Sequence, residues 1–269
     1  MMRRAASCLP LIVVAFAGCG APRDAKPSAS VAESTAGAAA TRAQRAVPPP
    51  TPAVHVPLTL DTANTQVLEM WPLAVSPGRQ LDETRRIVEH LQADLTLVPG
   101  FETATLLASG DGTGLLLVAS WRNAAAADRA NPALAAWLHA DSDSLVRRRR
   151  TGTATTRVHV RRTVGTPPIL SDAAMLQFTR YALKPGHSFG ALAALADSNL
   201  AIRVVQDTAA QGGATLVAAD SGALYMLLQA RSASALDPNI HSSGPLPFWA
   251  PFAEREERLL AVVAIVHHR

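Results

Sequence analysis

An α+β fold, built as two tandem ferredoxin-like (βαββαβ) domains, is predicted by three features of the sequence. Strand-like apolar runs alternate with segments of helical period. The same order of elements occurs twice, in residues 61–164 and again in 173–269. Each copy has a Pro-Gly turn after its first strand and a tight turn ending in glycine between its second and third.

In the first copy, Val67 to Leu73 reads as a strand and leads to Pro77-Gly78. Leu81, Val88, Leu91 and Leu95 then recur at helical spacing, with Ile87 beside them, which predicts a helix laying one apolar stripe on a sheet. Phe101 to Ala108 and Gly114 to Trp121 flank Gly110-Asp111-Gly112, whose glycines supply the positive φ of a hairpin. An alanine-rich helix from Ala124 to His139 follows. A strand rich in β-branched residues, about Thr153 to Thr163, closes the unit.

Residues 165–172, with Pro167-Pro168, form a linker. The second copy repeats the order. Met175 to Leu183 is a strand, Pro185-Gly186 a turn, and Phe189, Leu192, Leu195 and Ala196 mark a helix. Ala214 to Ala219 and Ala223 to Ala230 flank Asp220-Ser221-Gly222. Pro245 to Phe252 is less regular, and Leu259 to His267 is the last strand.

This order places two helices on one face of an antiparallel sheet. The other face of a single copy stays bare. Two copies in one chain can cover each other, which predicts an intramolecular pseudo-dimeric α/β barrel.

The amino terminus carries an address. Arg3 and Arg4 precede a short apolar run, Leu9 to Ala17, too short to span a bilayer. Phe16-Ala17-Gly18-Cys19 then resembles the bacterial lipobox. The resemblance implies cleavage after residue 18 and lipid on Cys19, with Gly20 implying the outer membrane, facing the periplasm. Residues 19–60, rich in Ala, Pro, Ser and Thr, read as a disordered tether in an extended path.

The 269 residues and 48% hydrophobic content allow proper cores. The net charge of +4 owes much to Arg147–Arg150. No basic stripe interleaved with aromatics accompanies it, so nucleic acid is not an expected partner. The only cysteines are Cys8 and Cys19. Cleavage leaves one, acylated, which removes disulfide, thiolate-metal and cysteine-nucleophile chemistry. GxGxxG, P-loop, HExxH, GxSxG and CxxC patterns are absent.

Pro77-Gly78, Val98-Pro99-Gly100-Phe101, Ser109 to Gly112 and Trp121-Arg122-Asn123 together resemble the antibiotic biosynthesis monooxygenase family along the whole first copy. The second copy resembles it only in element order and hairpin, with Ala230 where Trp121 would stand. The resemblance implies a pocket between sheet and helices, and in some members oxygenation of quinols or aromatic polyketides without metal or flavin. It implies that Trp121 lines that pocket. The haem-degrading branch has an Asn on strand one and a His on the second helix. Here Trp71 falls near the Asn position and His139 lies later than that His, which counts against haem degradation.

Trp121 offers a flat face for a planar substrate, with Trp71 and Trp137 as further candidates. Arg122 and Asn123 are candidate donors to a developing anion, and His90 or His139 the candidate base. Core packing of each Trp and a surface place for each His are the competing readings. Arg157, His159 and Arg161 share one strand face, as a polar pocket or a solvated surface. No cofactor and no metal is expected. Two functions follow: an envelope lipoprotein that binds and oxygenates a planar aromatic or quinol, or a non-catalytic binding or interaction lipoprotein that keeps the fold. A haem or quinone carrier is a third.

Overall fold

A computed structural model describes residues 57–140, 146–147, 155–231 and 249–268. Cys19, the tether up to residue 56, Arg148–Arg150 and the segment 232–248 lie outside the described residues. The elements are β1 (Leu58–Thr59), β2 (Val67–Val75), α1 (Gln80–Ala93), β3 (Phe101–Ser109), β4 (Gly114–Trp121), α2 (Ala124–Ala140), β5 (Val146–Arg147), β6 (Thr156–Gly165), β7 (Ile169–Leu170), β8 (Met175–Leu183), α3 (Phe189–Gln206), β9 (Ala210–Ala218), β10 (Ala223–Ala230) and β11 (Ala253–His267).

Eight antiparallel strands close on themselves in the order β4-β3-β11-β8-β10-β9-β6-β2, with β2 pairing back to β4. The short β5 adds beside β2. Within the ring, β6-β2-β4-β3 and β11-β8-β10-β9 are the same arrangement of the two halves. They join at two seams, β3–β11 and β6–β9. Closure leaves none of the eight strands with an open edge.

Period-two alternation divides each strand between two cores. Leu68 and Met70 of β2, Leu116 and Val118 of β4, and Leu176 and Phe178 of β8 fill the barrel interior. Trp71, Leu73, Leu117, Ala119 and Trp121 face outward, against α1 and α2. Tyr181, Leu224, Met226 and Leu228 face α3. With both faces covered, all eight residues of β4 are buried. Gly100, at φ +88°, turns the chain into β3, and a Cβ there would lie 2.6 Å from the Ala126 Cβ of α2. Glycine therefore lets α2 sit close on the sheet.

Four details differ from the sequence expectation. Leu81 is 72% exposed, while Ile87 and Leu91 are sealed. The Gln80 amide donates to the carbonyls of Ser109 (3.0 Å) and Gly114 (2.8 Å). This anchors the start of α1 and turns Leu81 outward. In α3, Leu195 is partly exposed and the buried stripe is Leu192, Ala193, Ala196 and Leu200. β11 starts at Ala253 rather than Leu259, because the charged run Glu254–Arg258 pairs with β8 despite its loop-like composition. Leu58–Thr59, assigned to the tether, pair with Ile169–Leu170 of the linker. Of the less regular stretch expected around Pro245 to Phe252, residues 249–252 form a turn, closed by the Phe252 N–H donating to the Trp249 carbonyl at 2.8 Å, and the rest lies outside the described residues. No described helix is long and apolar enough to cross a membrane.

Candidate functional site at the mouth of the barrel

The two ends of the barrel differ. At one end Leu58, Leu60, Leu170 and Ala174 join the interior core and plug it. Gln229 accepts from the Ile169 N–H at 2.8 Å and holds β7 there. At the other end, where the β3–β4 and β9–β10 hairpins turn, the interior is not filled. A partly open cavity of about 60 Å³ remains. By the volume one ordered water needs, it holds about four or five waters, so a planar ring can enter it only in part, with the remainder in the open mouth.

Its lining follows from strand alternation. Phe178 and Tyr225 form a stacked wall, ring centroids 5.7 Å apart. Met70, Leu116 and Leu260 form its apolar floor. Three charged side chains, Arg180, Glu256 and Arg258, take the next inward positions on β8 and β11. Pro72 opens the wall beside them. Among the described residues, β2 pairs with β6 from Leu68 to Met70 and with β5 at Ala74 and Val75. Pro72 sits between and has no N–H to give a ladder.

The charges are arranged unequally. Arg258 Nε donates to Glu256 Oε1 at 3.0 Å. The Arg258 guanidinium reaches across β3 to β4, where a Cβ on Gly114 would lie 2.0 Å from its Nη1. Glycine at that position makes room for the arginine. Asp111 in the neighbouring turn accepts from Ser109 Oγ at 2.6 Å, and this bond, with a smaller contribution from Arg258, holds its carboxyl below the usual carboxylate range. Arg180 is different. The register sets it opposite both Glu256 and Tyr225. Among the described residues no ion pair or hydrogen bond holds its guanidinium. The Tyr225 side chain is 5% exposed and lines the cavity, and its hydroxyl has no partner among those residues either.

The residues singled out from sequence lie elsewhere, and the structure does not bring them into one cavity. Trp121 is fully sealed between sheet and helices, edge-to-face with Phe101 at 5.5 Å. Trp71, 2% exposed, packs in the same layer. Both indole N–H groups are buried without an acceptor among the described residues. Where a pocket between sheet and helices was expected, side chains of α1, α2 and β2–β4 form a buried apolar cluster that includes both indoles. Asn123 caps α2, its Oδ1 accepting from the Ala126 N–H at 3.0 Å, and Arg122 is exposed.

His90 stacks on Trp137 at 3.7 Å and approaches Asp94 Oδ2 at 2.7 Å. Burial lowers its pKa, against the opposing pull of Asp94. Arg86 lies over the same indole, 4.5 Å from its centroid. His139 lies in the last turn of α2, and its side chain is outside the described residues. Arg157 and Arg161 are not in the lining of this cavity. Arg157 Nη2 pairs with Glu69 (3.1 Å) and Asp128 (2.8 Å), Arg161 pairs with Asp197 (3.0 Å), and His159 between them is exposed.

Sequence reasoning missed the mouth. The signal was available in Leu176, Phe178, Arg180 and Ala182, which share one strand face. An arginine on an otherwise apolar face needs a partner or a cavity. Pro72 inside a strand was a second signal.

No family model and no curated protein matches the sequence. Solved structures match its shape. An anthrone oxidase-like protein superposes with a TM-score of 0.62 at 12% identity, over 78% of this chain and 96% of that one. A protein from Fusobacterium nucleatum provisionally named a monooxygenase gives 0.49 at 10% identity, over 75% and 94%. A similarly named protein from Lactobacillus acidophilus gives 0.46 at 10%, over 76% and 97%. At such identity the first likeness establishes the fold and nothing finer. The chain shares the fold of the anthrone oxidase-like protein, an α+β chain whose sheet closes into an eight-stranded barrel.

Proposed function

We propose that the chain is a lipid-anchored envelope protein whose halves act as a fused dimer and whose barrel mouth binds a small planar ligand without transforming it. One observation supports this above the others. The cavity lies inside the barrel against the Phe178–Tyr225 wall, while Trp71 and Trp121 are sealed in the layer between sheet and helices. A concave, mainly apolar lining with a few convergent polar groups is the usual form of a ligand site. The seams β3–β11 and β6–β9 support the fused-dimer reading, since each half completes the other's sheet.

Benzamide, a ring without charge, is expected to bind the full chain saturably, as read by ligand-observed NMR. Ala74→Trp, which fills the mouth, is expected to abolish that binding with the fold retained. Undiminished binding in this variant would move the site elsewhere.

The membrane address rests on Phe16-Ala17-Gly18-Cys19. In cells, Cys19→Ser is expected to shift the protein from the membrane fraction to the soluble fraction. A protein that stays soluble with Cys19 intact contradicts the anchor.

A second reading, oxygenation of a planar aromatic or quinol beneath α2, has one observation in its favour: the unpaired indole N–H groups of Trp71 and Trp121. Oxygen uptake on adding a quinol to the full chain would support it over the binding reading.

A further inference from the structure

We infer that the mouth of the barrel selects anions: its ligand is a small carboxylate or phenolate carrying one planar ring, with the anionic group on Arg180 and the Tyr225 hydroxyl. This deepens the binding role proposed above and rests on it.

The argument starts from charge. Two guanidiniums and one carboxylate face the cavity. The carboxylate, Glu256, is turned to Arg258. Arg258 is further engaged by its position over Gly114 and beside the Asp111 turn. Among the described residues, the inward positive charge without a counter-ion is therefore Arg180. A half-buried guanidinium whose charge no described residue pairs with attracts an anion more strongly than an exposed one, because the surrounding protein screens less than water.

Tyr225 supplies the second, independent observation. Its ring is almost wholly buried in the wall, yet its hydroxyl has no partner among the described residues. A phenol in that position is a ready donor to an oxyanion. It stands directly across the β8–β10 ladder from Arg180, so both donors lie on one side of the cavity. Phe178 continues that wall one inward position deeper along β8. A ring can lie against it while its carboxylate points outward to Arg180. The free volume limits the buried part to one edge of a single ring, with the rest of the ligand lying in the open mouth beside Pro72.

The test uses the full chain with benzoate and its neutral counterpart benzamide. Their Kd values are measured by ligand-observed NMR for the wild type, Arg180→Gln, Arg180→Lys and Tyr225→Phe. The wild type is expected to favour benzoate about tenfold, the scale of one charge-assisted hydrogen-bonded contact. Arg180→Gln is expected to erase the preference by weakening benzoate about tenfold more than benzamide. Arg180→Lys is expected to restore part of it, and Tyr225→Phe to reduce it. Benzoate and benzamide binding equally, with Arg180→Gln altering neither, overturns the anion assignment and leaves the cavity reading standing. Neither compound binding overturns both. Loss of benzamide binding in Arg180→Gln, without recovery in Arg180→Lys, makes Arg180 a structural residue and also overturns the assignment.

Discussion

Trp121→Ala is expected to destabilise the protein by about 3–5 kcal/mol and to leave benzamide binding unchanged wherever the variant remains folded. The indole is fully buried and rests edge-to-face on Phe101, directly across the β3–β4 ladder. Removing it leaves a void bounded by the sheet and α2. The void cannot collapse easily, since β4 is hydrogen-bonded on both sides. Its unpaired N–H returns part of the loss, because the alanine variant no longer buries an unsatisfied donor. Denaturant unfolding and a benzamide titration on the same sample check the two halves of this expectation. A variant of ordinary stability that no longer binds would make Trp121 part of the ligand site.

Arg157→Ala carries the next largest expected effect, a loss of about 2–3 kcal/mol. Glu69 is 1% exposed, and its Oε1 is held by Arg157 and by the Asn131 amide at 2.8 Å. Taking away the guanidinium leaves a buried carboxylate with one neutral donor, and an uncompensated buried charge is among the costliest defects of a fold. Arg157 is itself one-third exposed, so solvent screening trims the figure. The hydrogen bond to Asp128, with smaller help from Glu69, raises the arginine's own pKa, so it stays charged throughout. The double variant Glu69→Gln, Arg157→Ala is expected to recover most of the loss, because the amide still pairs with Asn131 and carries no charge. No recovery would show that Arg157 stabilises by packing rather than by charge.

The order of elements was legible because each signal is local. Pro-Gly turns, hairpin glycines and the alternation of Met175 to Leu183 depend on neighbours a few residues away. Helix facing was less legible. Leu81 fits the apolar stripe by spacing, but the Gln80 amide fixes the rotation of α1, and its carbonyl partners lie some thirty residues away in sequence. The start of β11 was hidden by Glu254–Arg258, a charged run that becomes strand only because β8 and the barrel interior receive it.

The candidate site was least legible. The resemblance to monooxygenases directed attention to Trp71, Trp121, His90 and His139, on or beneath the helices. The cavity instead gathers residues from six strands, and only ring closure brings Met70, Phe178, Tyr225 and Glu256 together. Arg180 reads from sequence as one more surface charge. Its meaning comes from Glu256 being turned to Arg258, a contact between side chains that no single-strand pattern contains.

The central claim, that the ligand lies inside the barrel mouth and not beneath α2, is tested most directly by a crystal structure of the protein with benzoate. Density against the Phe178 and Tyr225 rings, its carboxylate at hydrogen-bond distance from Arg180, is the predicted result. Benzoate lodged between sheet and α2, with the indole N–H of Trp71 or Trp121 donating to it, would contradict the account.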